Sequence, residues 1–289
     1  MNTVLAVTID ELLRPYEFEF FRNGVIVATV AGALCGLIGC YVVLRSMSYI
    51  GHGLSHSIFG GFAFASLIGI NVFIGAGVWG LATALLIASI TRRRPIGSDA
   101  AIGVVTTASF ALGLAMVQAW GSADTDADAA LFGSILGVST GDVYLILAVT
   151  LGTVVTIIIS YRRLLFVTFD PEVAEVSGVR VAVTDAVLML LLAASILVTM
   201  NVLGVTLIAA ALVVPAVVAR LLTSSFTAML IIATFVGAVT GVVGMNLSYH
   251  LDIASGPVIV LVGAVFFIAA FIFSGVRGRA GLKGLAHAH

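Results

Sequence analysis

The sequence predicts an all-α fold, a polytopic transmembrane bundle of about nine spans. Three observations predict it: an apolar composition, uncharged stretches of span length, and charges sorted by sign between alternate connections. Of 289 residues, 61% are apolar and only 9% are charged, with a mean hydropathy of +1.22. Soluble domains carry about 25% charged residues, so this chain cannot clothe a water-facing surface. Thirteen Lys and Arg against fourteen Asp and Glu give a net charge of −1, which offers no basic face for nucleic acid.

Segments free of Asp, Glu, Lys and Arg run 24–44, 46–70, 71–91, 100–123, 143–161, 186–219, 221–251 and 253–276. A helix of about 20 residues crosses the ~30 Å of hydrocarbon, so most of these stretches hold one span each. The stretch 186–219 is too long for one crossing, and Asn201 with Gly204 marks a turn between two short helices. Lys and Arg gather on the cytoplasmic side of short loops, which tests that division. Nine crossings with the amino terminus outside place Arg45, Arg92, Arg93, Arg94, Arg162, Arg163, Arg180, Arg220, Arg277, Arg279 and Lys283 inside. Only Arg14 and Arg22 stay outside, beside Asp10, Glu11, Glu17, Glu19, Asp124, Asp126, Asp128, Asp142 and Asp252. Eight or ten crossings stay open, because 131–140 is apolar but short.

In chain order, 1–23 reads as an external amphipathic segment with no basic n-region, so no cleavable signal is expected. Cys35 and Cys40 lie in one apolar stretch, in neither CxxC nor zinc spacing, and read as small packing residues. The pattern Gly32-x-x-x-Gly36-x-x-Gly39 recurs as Gly237-x-x-x-Gly241-x-x-Gly244. Either it is the trace of an inverted repeat or it is small-residue helix packing. The loop 121–130 carries Asp124, Asp126 and Asp128 but lacks the Gly and distal Glu of an EF-hand, so it reads either as an outer acidic loop that attracts cations or a basic partner or as a merely solvated loop. In 164–183, Asp170 suits an N-cap, Pro171 the first helical position, Glu172 and Glu175 the positive helix end, and Gly178 the C′ stop. A short capped helix over 171–177 is expected on the cytoplasmic face, which the residues alone leave open between a connector joining two spans and a functional surface element. The cytoplasmic tail 276–289 ends on His287 and His289, which read as part of a disordered terminus.

The stretch 46–70 contains His52 and His56. At i, i+4 they share a helix face, and with a helix beginning near Ser46 they fall about 9 and 15 Å along it, inside the hydrocarbon. Two neutral imidazoles one turn apart supply two nitrogen ligands to a divalent transition metal, and ionisable groups in a membrane are expensive enough to suggest function. The alternative has them hydrogen-bonded at a helix contact, to carbonyls or to Ser48, Ser55 and Ser57. The remaining ligands would come from water, other spans or a second copy, with Asn246, His250 and Asp252 either as further candidates or as simple interfacial caps. Gly75-x-Gly77-x-x-Gly80 lies within a span and reads as packing, not as a dinucleotide loop. The chain has no P-loop and no H-E-x-x-H, so ATP, if used, binds another chain.

These residues resemble the membrane permease subunit of the manganese, zinc and iron ABC importer family. The resemblance runs over roughly 20–275 and is carried by four blocks: YVVLRSMSYIGHGLSHSIFGGFAFA at 41–65, LFGSILGVS at 131–139, LLFVTFDPEVAEVSGVRV at 164–181 and VLGVTLIAAALVVPAVVARLL at 202–222. It implies a single permease domain over 1–289, built like the vitamin B12 importer class. It also implies a second permease copy, two cytoplasmic ATPase subunits and an external metal-binding protein. No cofactor would be bound permanently; the divalent metal would be substrate, and ATP would act only through the partner. Asp170, Pro171, Glu172, Glu175 and Gly178 match the element with which such permeases engage the ATPase. His52 and His56 match the position of an intramembrane Asp-x-x-x-His ligand pair, with His in place of the first Asp. A second imidazole favours zinc or iron over manganese on ligand grounds, and metal identity stays open. Pro215 and the helices around Asn201 are expected flexing points. The rival class, an ion-gradient-driven secondary transporter, would want a mid-membrane carboxylate, whereas Asp185 and Asp252 stand near span ends. An intramembrane hydrolase using Ser55 or Ser57 lacks an orienting group.

Overall fold

The computed structural model describes residues 14–91, 98–120, 138–205 and 207–286. A 3-10 turn, Arg14–Glu17, leads into α1 (Glu19–Leu44), followed by α2 (Ile50–Ile68), α3 (Val72–Thr91), α4 (Ser98–Trp120) and α5 (Thr140–Phe169). The short α6 (Pro171–Val176) then precedes α7 (Val181–Leu203), α8 (Ile208–Leu222), α9 (Phe226–Leu251) and α10 (Ser255–Ala286). Seven of these helices are long and apolar enough to cross a membrane. The nine-span reading adds two that depart from that norm for separate reasons. α2 has span length, but its histidines, serines and glycines lower its hydropathy. α8 has only 15 residues, about 22 Å of helix.

The division of 186–219 stands as expected. α7 stops at Gly204, whose φ of 73° suits a residue without Cβ, and its N–H closes on the Met200 carbonyl at 2.8 Å. Pro215 sits inside α8 and is buried, with the helix continuous around it. The acidic loop residues Asp124, Asp126 and Asp128, most of the 131–140 stretch, the amino-terminal thirteen residues and the tail histidines lie outside the described residues.

The centre of the bundle is the antiparallel pair α1 and α9. A Cβ added to Gly32 would overlap the carbonyl oxygen of Gly237, and one added to Gly237 would overlap that of Gly32. One turn to either side, Gly36 meets the Ala233 carbonyl and Gly241 the Ala28 carbonyl in the same way. The first glycines of the two patterns therefore face each other, and Gly36 and Gly241 meet alanine backbones beside them; such small-residue packing lets backbones approach where lipid supplies no hydrophobic drive between helices. Gly39 does the same against the Leu212 carbonyl of α8. Around this seam lie Leu34, Cys35, Ile38, Cys40 and Met229, all at most 1% exposed. Both cysteines are free and buried, as their spacing suggested.

One expectation needs correcting. α2 begins at Ile50 and not near Ser46, so His52 and His56 stand about 3 and 9 Å along it, in its first turns. The cause is the end of α1. Ser46 adopts the left-handed region with φ 56°, its N–H bonds the Val43 carbonyl at 3.1 Å, and the Met47 N–H bonds Val42 at 3.0 Å. This is a Schellman stop with serine where glycine would be free of strain.

Substitution of Gly32 by Leu is expected to cut the yield of folded, monodisperse protein several-fold, because the clash is with a carbonyl and not with a movable side chain. Gly103 on α4, where an added Cβ meets nothing within 4 Å, is the control: Gly103→Ala should leave the yield unchanged. Size-exclusion chromatography in detergent measures both.

Candidate metal pair and coupling helix

The i, i+4 spacing delivers the expected geometry. His52 Nε2 and His56 Nε2 lie 3.2 Å apart, and the rings meet edge-on with centroids 4.3 Å apart. Two nitrogens held about 2.1 Å from one metal ion, at about 90° to 109°, stand about 3.0 to 3.4 Å from each other. The pair therefore already has the span of a two-nitrogen chelate. His52 is exposed on the protomer surface and His56 is half-buried, so the face they share is open to further ligands. Without metal, one Nε2–H donates to the other nitrogen. The Nδ1 of His56 is buried without a partner. A metal taking both Nε2 lone pairs would leave a proton on that atom with no acceptor, a penalty of roughly 1–3 kcal/mol that weakens the site and suits a transient ligand pair.

The bed under this pair is stiff. The Phe110 ring of α4 packs edge-on against His56 at 4.9 Å. Next to His56, the Ser57 hydroxyl lies 2.7 Å from Thr83 Oγ1 of α3 and 2.7 Å from Ser109 Oγ of α4. Trp79 Nε1–H donates to the same Ser109 hydroxyl at 2.6 Å. Ser55 instead turns back on the His52 carbonyl at 2.8 Å. Gly53 leaves space for Thr106, and Gly60 lies against the Ser109 carbonyl. Sequence reasoning found Ser57 but not Thr83, Trp79, Ser109 or Phe110; a hydroxyl among apolar residues gives no signal of which helix it will meet.

Asn246, His250 and Asp252 are not brought to this pair. They lie at the far end of α9, while α2 packs chiefly on α3, α4, α7 and α8. Asn246 donates to the Tyr16 hydroxyl at 2.9 Å and to the Val242 carbonyl at 2.8 Å, and so fastens the 3-10 turn to α9. His250 lies edge-on to Tyr249 beside Arg14 and Phe18. Asp252 ends α9 in the left-handed region with φ 54°. Among the described residues no group of three His, Cys, Asp or Glu is placed to hold a metal ion.

At the opposite end, α6 has the capping that its sequence specified. Asp170 Oδ1 accepts the Val173 N–H at 2.9 Å and Pro171 holds the first position. The Gly178 N–H bonds Glu175 at 3.0 Å, the Val179 N–H bonds Ala174 at 2.9 Å, and Gly178 has φ 85°, completing a Schellman motif. Ala174 is buried, whereas Val176 is 90% exposed and Val173 50% exposed. Apolar side chains on so short an exposed helix, with Glu172 and Glu175 also exposed, make a surface fit for a partner.

Charge sorts the two ends. Arg45, Arg163 and Arg180 line openings beside α6. At the other end Glu19 accepts from Thr140 and Arg14 lies beside His250.

A multi-pass helical bundle with an open imidazole pair on one span and a capped, partly apolar helix at one end has the build of a membrane permease. The chain belongs to the ABC 3 transport family, whose model matches residues 17–274. It is 35% identical over 274 residues to the manganese transport system membrane protein MntC of Halalkalibacterium halodurans, covering 95% of this chain and 93% of that protein. It is 32% identical over 265 residues to the chelated iron transport system membrane protein YfeD of Yersinia pestis, covering 91% of this chain and 88% of that one. The solved structure of PsaBC from Streptococcus pneumoniae in complex with Fab matches with a TM-score of 0.81 at 34% identity, covering 91% of this chain and 95% of that chain.

Replacing Asp170 by Ala removes the N-cap of a six-residue helix and is expected to cost about 1 kcal/mol locally. Hydrogen exchange should speed up at the amides of 173–176 by several-fold and stay unchanged in α5; equal protection in both proteins would contradict the capping role.

Proposed function

We propose that this chain is the permease subunit of an ATP-driven importer of divalent transition-metal ions, delivered by an external binding protein and passed across the membrane at His52 and His56. The observation that carries the reading is the 3.2 Å separation of the two Nε2 atoms on an otherwise apolar, span-length helix. Ionisable groups on the helices of a membrane protein are functional candidates by default, and two of them one turn apart suit a ligand role. The relatives named for manganese and iron transport support the substrate class. On ligand softness, imidazole suits zinc and iron well, and the departure from a carboxylate at position 52 is the feature to test in comparing metals.

In this reading the amino terminus is external, and the acidic end, with Glu17, Glu19 and Asp142, receives the loaded binding protein. Asp124, Asp126 and Asp128 would add to that field. The arginine-rich end is cytoplasmic, where α6 docks on an ATPase chain through Val173, Val176, Glu172 and Glu175. A second permease copy would face the open side of His52 and complete the ligand set. His250, Asp252 and Asn246, lying at the receiving end, would act on entry and not at the pair.

The double substitution His52→Ala and His56→Ala is expected to lower metal uptake at least tenfold, with protein level and ATPase association unchanged. Wild-type uptake by that variant would sink the ligand assignment. In proteoliposomes, uptake should require ATP and survive collapse of proton and sodium gradients; the opposite pattern would favour a secondary transporter. Charge reversal at Glu172 and Glu175 should release the ATPase chain during co-purification, and full retention would return α6 to a plain connector.

A further inference from the structure

α6 packs on the ends of α5 and α7, yet the histidine pair is on α2. What joins them is a half-buried arginine. Arg45 closes α1 and stands seven positions before His52. Its Nη1 donates to Asp185 Oδ1 at 2.6 Å, and its Nε donates to Thr168 Oγ1 at 3.1 Å. Thr168 lies on the last turn of α5 just before α6, and Asp185 on the first turns of α7 just after it. One guanidinium thus grips both flanks of the coupling helix. The pair is largely withdrawn from solvent, with side-chain exposures of 10% for Arg45 and 20% for Asp185.

Two further features suggest a part that moves. Arg45 Nη2 is buried without a partner, in a protein where nearly all such donors are paired. Arg45 also lines a cavity of about 490 Å³, together with Ser46, Thr91, Glu172, Glu175 and Asp185. The cavity opens to solvent, which leaves room beside the clamp for α6 to shift. On the other side of Arg45, Ser46 holds a left-handed conformation that a side chain disfavours. From there the turn leads directly into α2, through the Ile50 N–H on Met47 at 2.9 Å and the Gly53 N–H on Tyr49 at 3.0 Å.

We propose that Arg45, clamped between Thr168 and Asp185, is the positioning residue that carries displacement of α6 through the 45–49 turn to the histidine pair on α2. It touches neither metal nor ATP; it fixes how far the start of α2 follows the coupling helix. This inference rests on the importer reading above, since without a driven partner α6 has no displacement to pass on.

The test is the ratio of metal ions imported to ATP hydrolysed, in proteoliposomes containing the full permease with its ATPase and binding protein. Arg45→Gln and Asp185→Asn should keep the assembled complex and most of its ATP hydrolysis while the ratio falls at least tenfold. Arg45→Lys, which keeps charge but not the two-point grip, should recover only part of it. Should a single buried charge prevent folding, the double variant Arg45→Gln and Asp185→Asn removes both charges at once and is expected to fold and to show the same low ratio. A wild-type ratio in the folded variants, or uptake and hydrolysis falling in parallel, overturns the inference and makes the clamp a plain structural contact. Wild-type uptake that ignores ATP overturns the importer reading itself, and this inference with it.

Discussion

Gly32 and Gly237 face each other across the middle of the bundle, each occupying the space that the other's side chain would need. That reciprocal contact brings α1 and α9 together backbone to backbone, and their position sets what the remaining helices can do. α8 joins through Gly39. α5 and α7 pack on the outer flank of α1, and the end of α1 fixes where α2 begins. In a bilayer such contacts replace the hydrophobic drive of a soluble core, since lipid tails are as apolar as leucine.

A second stiff unit, made of α2, α3 and α4, is bound by a different chemistry. Gly53 and Gly60 admit α4 closely, and Ser57, Thr83, Trp79 and Ser109 form one hydroxyl network. In hydrocarbon an unpaired hydroxyl is costly, so the network fixes the rotation of α2 and with it the direction of His52 and His56. The histidines thus sit on a rigid bed with one face open. Between this unit and α6 lies the Arg45 turn, which combines an ion pair, a left-handed serine and an adjacent open cavity. Rigid parts joined by one strained, spacious joint form an arrangement suited to alternating access.

Much of this was legible in the sequence because charge is so scarce. Thirteen basic residues sufficed to order the spans and to split 186–219, since each one is expensive inside a membrane. The caps of α6 were readable residue by residue, because Asp, Pro and Gly each have a local backbone preference that needs no tertiary partner. The i, i+4 histidines were readable for the same reason. The start of α2 was not: Ser46 in a left-handed conformation runs against its intrinsic preference, and the turn bonds to Val42 and Val43 that accompany it have no marker residue such as glycine. Nor could the sequence say that Gly32 and Gly237 meet, because pairing between residues about two hundred positions apart leaves no local mark. Asn246 was open in the sequence between a metal ligand and an interfacial cap, and its bond to Tyr16 depends on a partner 230 positions away that no local pattern marks.

The central claim is that His52 and His56 act together on one metal ion. X-ray absorption on the purified, zinc-loaded permease complex tests it most directly. The geometry predicts two imidazole nitrogens at about 2.0–2.1 Å, with the outer-shell scattering of histidine rings, and loss of one such ring in each single alanine variant. A first shell of oxygen alone, unaltered by either substitution, would contradict it.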